Sequence, residues 1–140
     1  MIVVPFRAEH LQQLQLQDAQ AYCGPHITAE YAKMLEGQFS FTAMVNDRPI
    51  GVGGATELWE HRALLWSLID RRAGPHFVAV HRAVQRFLET LPYRRVEAEV
   101  DVDFEPGHRW VKALGFTLEA PRMRAFRVDG GDSALYARVK

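Results

Sequence analysis

The stretch Ala63-Leu64-Leu65-Trp66-Ser67-Leu68-Ile69-Asp70-Arg71-Arg72-Ala73-Gly74-Pro75-His76-Phe77-Val78-Ala79-Val80-His81-Arg82-Ala83-Val84 decides the fold. Its first seven residues form a nearly unbroken apolar run, the pattern of a strand buried on both faces, although periodicity alone does not exclude a helix. Asp70 to Pro75 then break the run as a polar loop. Beyond it Phe77, Val80, Val84, Phe87, Leu88 and Leu91 recur at helical spacing and make one apolar stripe. A strand, a short glycine-containing loop and a helix start present backbone N–H groups and a partial positive charge to an anion. Pro75 suits the first helical position, where an N–H has no partner to lose. Arg71 and Arg72 add two cations. Residues 70–76 therefore read as a phosphate-type anion site or as an ordinary strand-to-helix turn. They hold neither GxxxxGK[ST] nor GxGxxG, so a Walker loop and a dinucleotide fingerprint are both excluded.

Working outward, the N-terminal side begins with Ile2–Phe6, an apolar β-branched run read as a first strand. Arg7–Gln17, with Leu11 and Leu14 on one side, reads as a helix. A less regular segment follows and breaks at Gly24-Pro25. Thr28 is placed to cap a second helix over 29–36, with Gly37 just past its end. Residues 39–45, 50–58 and 63–69 read as three consecutive antiparallel strands, the first two joined by the turn Asn46-Asp47-Arg48-Pro49. Gly51, Gly53 and Gly54 inside the middle strand point to a bulge or a close backbone approach.

On the C-terminal side, 95–103 alternates strictly: Val96, Ala98, Val100 and Val102 against Glu97, Glu99, Asp101 and Asp103. The carboxylate face is solvated, matched by arginines, or an acidic groove for an amine-bearing acceptor. Metal binding by this row is the weakest reading, because clustered His ligands are lacking. Glu105-Pro106-Gly107 opens a fourth helix that ends at Gly115-Phe116. A strand region follows, interrupted by Pro121, then the hairpin turn Asp129-Gly130-Gly131-Asp132 and a last strand over 134–139. The crossover from 63–69 to 95–103 should be parallel and right-handed.

These 140 residues suffice for one domain, spanning 1–140, with its own core. Hydrophobic residues at 48% and charged residues at 24% are ordinary for a globular protein in water. Lys+Arg and Asp+Glu are 17 each, and this balance argues against bulk nucleic-acid binding. The lone Cys23 builds neither an internal disulfide nor a zinc site. No apolar run approaches ~18 residues and no basic-then-apolar leader opens the chain, so a cytoplasmic location without a membrane partner is expected.

The order β-α-α-β-β-β-α-β-α-β-β resembles the GNAT superfamily of N-acetyltransferases over essentially the whole chain. Arg71-Arg72-Ala73-Gly74-Pro75-His76 matches the Arg and first Gly of that family's acyl-CoA loop, [Q/R]-x-x-G-x-[G/A], and departs from it at His76. Leu114-Gly115-Phe116 matches a second family motif. Trp66 to Arg86, with His108-Arg109-Trp110, also resembles compact GNAT-like proteins of phages and prophages. The resemblance implies an α/β (α+β) fold: a mixed, strongly twisted sheet of six to seven strands flanked by about four helices. It implies acetyl-CoA, or another acyl-CoA, as co-substrate, with no metal. The cofactor would lie between the strands 63–69 and 95–103, against Leu68, Ile69, Asp70, Arg71, Arg72, Ala73, Gly74, Pro75 and His76. An acceptor amine, on a small molecule or a protein, would attack the thioester directly. Glu57 is the best placed candidate base, with Glu99 and His61 as alternatives. The family's acidic tyrosine is replaced by Val111, with His108 nearby on the same helix. A non-catalytic GNAT-like binding module is the alternative reading. Homodimers occur in the family, so Trp59 and Trp66, expected to be exposed, are candidates for an interface.

Overall fold

A computed structural model describes residues 1–37 and 39–140. Its elements run β1 (Ile2–Pro5), α1 (Ala8–Gln13), a 3₁₀ run (Asp18–His26), α2 (Ala29–Leu35), β2 (Ser40–Val45), β3 (Arg48–Trp59), β4 (Arg62–Ile69), α3 (Phe77–Thr90), β5 (Arg95–Asp101), α4 (Glu105–Ala113), β6 (Thr117–Met123) and β7 (Ser133–Val139). The strands form one seven-stranded sheet in the order β1-β2-β3-β4-β5-β7-β6. Among the described residues β4 and β5 are the one parallel pair; the other pairs are antiparallel. The mixed sheet expected from the sequence is therefore present.

The two faces follow from the period-2 alternation of each strand. One face buries Ala63, Val96, Ala98, Val100 and Tyr136 against Leu88 of α3, Val111 of α4 and Leu114 just past its end. The other buries Val52 and Leu68, with Trp66, against Phe6, Leu11 of α1 and Ala32 of α2. Trp66 thus joins the core, with its ring edge-on to Phe6 at 5.8 Å, and is not an exposed aromatic. Trp59 is exposed, and the Arg62 guanidinium lies over its ring.

Local chemistry sets the turns. Asn46 and Asp47 both take positive φ, as the tight hairpin between β2 and β3 requires. Thr28 Oγ1 accepts from Tyr31 N–H at 3.1 Å and caps α2 as expected. Gly115 at φ +92° ends α4 in the left-handed conformation. Gly54 meets the backbone of Phe39 and Ser40 so closely that no Cβ would fit, which accounts for a glycine inside β3. Pro121 is tolerated because β6 is an edge strand.

Three expectations change. The first helix does not extend over 7–17: it stops at Gln13, because Leu16 forms an antiparallel bridge with Asp70. Asp18–His26 is a 3₁₀ run rather than an irregular break. The strand expected over 95–103 ends at Asp101, and Asp103 lies beyond it as an exposed residue.

Candidate functional site

β4 and β5 pair only over Arg62–Leu65 and Arg95–Ala98. Yet β4 continues to Ile69 and β5 to Asp101. Past Leu65 and Ala98 the strands part, leaving a wedge that opens toward the loop 70–76. The closed end is fastened by charge. Glu97 of β5 is buried and accepts from Arg62 of β4 and from Arg95, which also reaches Glu119 of β6. These guanidinium contacts hold the Glu97 carboxyl below its ordinary range.

Backbone polar groups alternate edges along a strand. Asp70 N–H donates to Ile50 O on β3, whereas Arg95 N–H of β5 reaches His61 O. Even-numbered residues of β4 therefore face β3, and odd-numbered residues face the wedge. Leu68 spends its backbone on β3; the wedge edge is made by Ser67 and Ile69. That edge is engaged from within the chain. Gln17 N–H donates to Ile69 O at 2.9 Å. Gln20 Oε1 accepts from Ile69 N–H at 2.9 Å and its Nε2 donates to Ser67 O at 2.8 Å.

The loop after β4 is tightly self-bonded. Asp70 is 1% exposed. Its carboxylate accepts from Gln15 N–H, from Arg72 N–H and from two Arg72 guanidinium nitrogens, all between 2.7 and 2.8 Å. These contacts, the guanidinium first, hold the Asp70 carboxyl far below its ordinary range. Arg71 N–H donates to Gln15 O, Ala73 N–H to Asp70 O and His76 N–H to Ala73 O. In this arrangement most N–H groups of 70–76 are spent locally and Arg72 is held by Asp70. What remains outside this network is the exposed Arg71 side chain and the first turn of α3. Gly74 is exposed, with open space where a Cβ would stand. Between α3 and α4, Trp110 fills the gap: its ring is edge-on to Phe77 at 4.9 Å, and its Nε1–H donates to His81 Nδ1 at 3.1 Å.

The three candidate catalytic groups separate. Glu57 lies opposite Ala63 at the closed end and accepts from the buried Tyr93 hydroxyl at 3.1 Å. His108 is tied on both sides of its ring. Val102 O only accepts, so Nε2 carries the proton and donates to it at 2.8 Å; Nδ1 then accepts from the Tyr136 hydroxyl at 2.7 Å. Val111, where the family resemblance asks for a tyrosine, is buried in the core.

Glu99 is the residue that meets the wedge. It follows the last paired position of β5 and projects to the face that carries α2 and the 3₁₀ run. Among the described residues it forms no hydrogen bond or ion pair. Its surface reaches water, but neighbouring protein strips part of its hydration; together with the Glu97 charge this raises its carboxyl above the ordinary range. Tyr31 of α2 lies near enough for the Glu99 charge to help raise its phenol, after burial and Cys23. One step further along β5, Asp101 accepts from Tyr22 Oη at 3.0 Å and pairs with Arg127 Nη1 at 3.0 Å. Arg127 also lies over the Tyr22 ring. The carboxylate row is thus matched by arginines at Glu97 and Asp101 and left open at Glu99. Neither Tyr22 nor Arg127 is marked by any sequence motif; only the fold brings them to the end of β5.

Among the described residues no group of three His, Cys, Asp or Glu side chains is disposed to hold a metal, and no helix is long and apolar enough to cross a membrane.

No family model and no curated protein matches the sequence. Solved structures do match the fold. Ard1 from Thermoplasma volcanium superposes with a TM-score of 0.80 at 16% identity, covering 99% of this chain and 96% of that one. The ribosomal-protein-S18-alanine N-acetyltransferase from Escherichia coli gives 0.74 at 13% identity, covering 99% and 92%. An acetyltransferase of the GNAT family from Bacillus anthracis gives 0.68 at 12% identity, covering 98% and 93%. The chain has the GNAT fold.

Proposed function

We propose that the chain is a cytoplasmic, acyl-CoA-dependent N-acyltransferase acting on an amine at the wedge between β4 and β5. The observation that carries this reading is the early end of β4–β5 pairing at Leu65 and Ala98, with an uncompensated carboxylate, Glu99, at the first open position. The donor set of the edge fits the amide-bearing arm of acyl-CoA. Ile69 N–H, Ile69 O and Ser67 O lie in line, and the Gln20 carboxamide already uses two of them as an amide would. Bound acyl-CoA supplies an activated thioester. Arg71 and the start of α3 offer the charge for its phosphates.

Glu99 takes the proton from the acceptor's ammonium, leaving an amine with a free lone pair. A raised carboxyl pKa narrows its gap to that ammonium, so the transfer is less uphill than for an ordinary carboxylate. Tyr22 and Tyr31 wall this side, and the Asp101–Arg127 pair ties the loop between β6 and β7 to it. Val111 has no proton to offer a departing thiolate.

The test is thermal denaturation against rising acetyl-CoA, followed by thiol release with an amine panel. A ligand at a hundred times its Kd stabilises by about 2.7 kcal/mol. Absence of both a shift and thiol release contradicts the reading. One observation favours a second reading, a non-catalytic module: the wedge edge is engaged by Gln17 and Gln20. Binding without turnover across the amine panel would support it.

A further inference from the structure

The segment Gln15–Tyr22 crosses the wedge from β4 to β5. At the β4 side it adds as a short antiparallel piece: Arg71 N–H donates to Gln15 O at 2.8 Å and Gln17 N–H to Ile69 O at 2.9 Å, around the Leu16–Asp70 bridge. The Gln20 carboxamide then closes on Ile69 N–H and Ser67 O, held in place by Gln17 Nε2 at 3.0 Å. At the β5 side Tyr22 is fastened to Asp101 and lies under Arg127. Gln20 and Tyr22 both belong to the 3₁₀ run Asp18–His26, which has no fully buried residue. Such a run has few apolar contacts to hold it and weaker hydrogen bonds than an α-helix.

We infer that this segment is a self-ligand latch: it occupies the wedge edge with its own amides and is exchanged for the amide arm of acyl-CoA. The inference rests on the acyl-CoA reading above. The exchange is close to balanced. Each hydrogen bond the latch gives up at Ser67 and Ile69 is replaced by one from the incoming arm, and the net worth of a single bond is only about 1 kcal/mol. An equilibrium of this kind lowers apparent affinity by the fraction of molecules already open. The latch also carries Tyr22, bonded to Asp101 two residues beyond Glu99 on β5, so its release reshapes the acceptor side whenever the cofactor side fills.

The experiment compares acetyl-CoA binding by the wild-type chain, Gln20→Ala and Tyr22→Phe, using calorimetry and hydrogen exchange. Loss of the two Gln20 bonds, about 1 kcal/mol each, should tighten acetyl-CoA binding by up to about thirtyfold, and Tyr22→Phe by less. In the wild type, acetyl-CoA should speed amide exchange within residues 15–22, at Gln17 above all, because its N–H leaves Ile69 O. Equal or weaker affinity in Gln20→Ala, or slower exchange over 15–22, overturns the latch while leaving the acyl-CoA reading intact. No binding by any of the three chains overturns that reading and the latch with it. Thermal melting of each unliganded variant confirms that it is folded.

Discussion

Asp70 and Arg72 are joined at three points inside one turn: Asp70 Oδ1 accepts from Arg72 N–H and Nε at 2.8 Å each, and Oδ2 accepts from Nη2 at 2.7 Å. Asp70 also takes Gln15 N–H, so a single buried carboxylate organises the end of β4, the loop before α3 and the start of the latch. Asp70→Asn keeps the shape but removes the charge. Removing one partner of a fully buried pair costs about 3–5 kcal/mol; with a third of the Arg72 side chain exposed, about 2–3 kcal/mol is expected, read by urea denaturation. The folded-state pKa of Asp70 is depressed, so the stability it lends is fully present above the unfolded value of 3.8 and is lost as pH falls below it. The wild-type chain should lose stability below about pH 4 more steeply than Asp70→Asn. Parallel acid-denaturation curves would contradict this.

Glu99 is expected to set the acid limb of the rate. A base works only when deprotonated, and its carboxyl is raised by lost hydration and the Glu97 charge. Turnover should therefore rise with pH through a value above the ordinary carboxylate range. Glu99→Gln should lower kcat by about 10²- to 10⁴-fold and abolish that limb. A pH–rate profile of both proteins checks this; an unchanged limb in Glu99→Gln assigns the base elsewhere.

Gly74 gives a clean probe of the loop. A Cβ there meets open space and the backbone is not left-handed, so Gly74→Leu should shift stability by no more than about 0.5 kcal/mol. The same side chain stands where phosphates would approach the start of α3. Melting temperature should hold while acetyl-CoA affinity falls. Retained affinity places the phosphates away from this loop.

Tyr136 and His108 join β7 to α4 in a place where Tyr136 is 2% exposed. Tyr136→Phe leaves His108 Nδ1 without its donor. An unsatisfied buried group costs about 1–3 kcal/mol, measurable by denaturant titration. A loss well below that range would mean that water replaces the phenol.

The sequence displays most of the fold because its signals are local. The apolar run 63–69, the strict alternation of 95–101, Asn46-Asp47 and Leu114-Gly115 each announce an element by period or turn chemistry. The helix read to Gln17 ends at Gln13, and the sequence does carry a signal against the longer helix. Leu14 and Leu16 stand two apart, a strand period rather than a helical one, and Leu16 does bridge to Asp70. Asp70 two residues before Arg72 is the pattern of an Asx turn, and it explains why Arg72 is held within the loop.

The site was less legible. Gln17 and Gln20 act on backbone groups of β4 some 50 positions away, and no residue type at the receiving end marks such a contact. Glu97, Glu99 and Asp101 look alike in sequence. They differ only because Arg62 and Arg95 reach the first, Arg127 and Tyr22 reach the third, and nothing among the described residues neutralises the second. Glu57 shares the chemistry of Glu99, but its rung of the sheet puts it at the closed end.

The parted edge of β4 as the acyl-CoA site is tested most directly by backbone NMR during an acetyl-CoA titration. The amide resonances of Ser67, Ile69 and Gln17 and the side-chain amide of Gln20 should shift together and saturate at one Kd. Saturable shifts elsewhere with these four unmoved, or no shifts at millimolar acetyl-CoA, would contradict it.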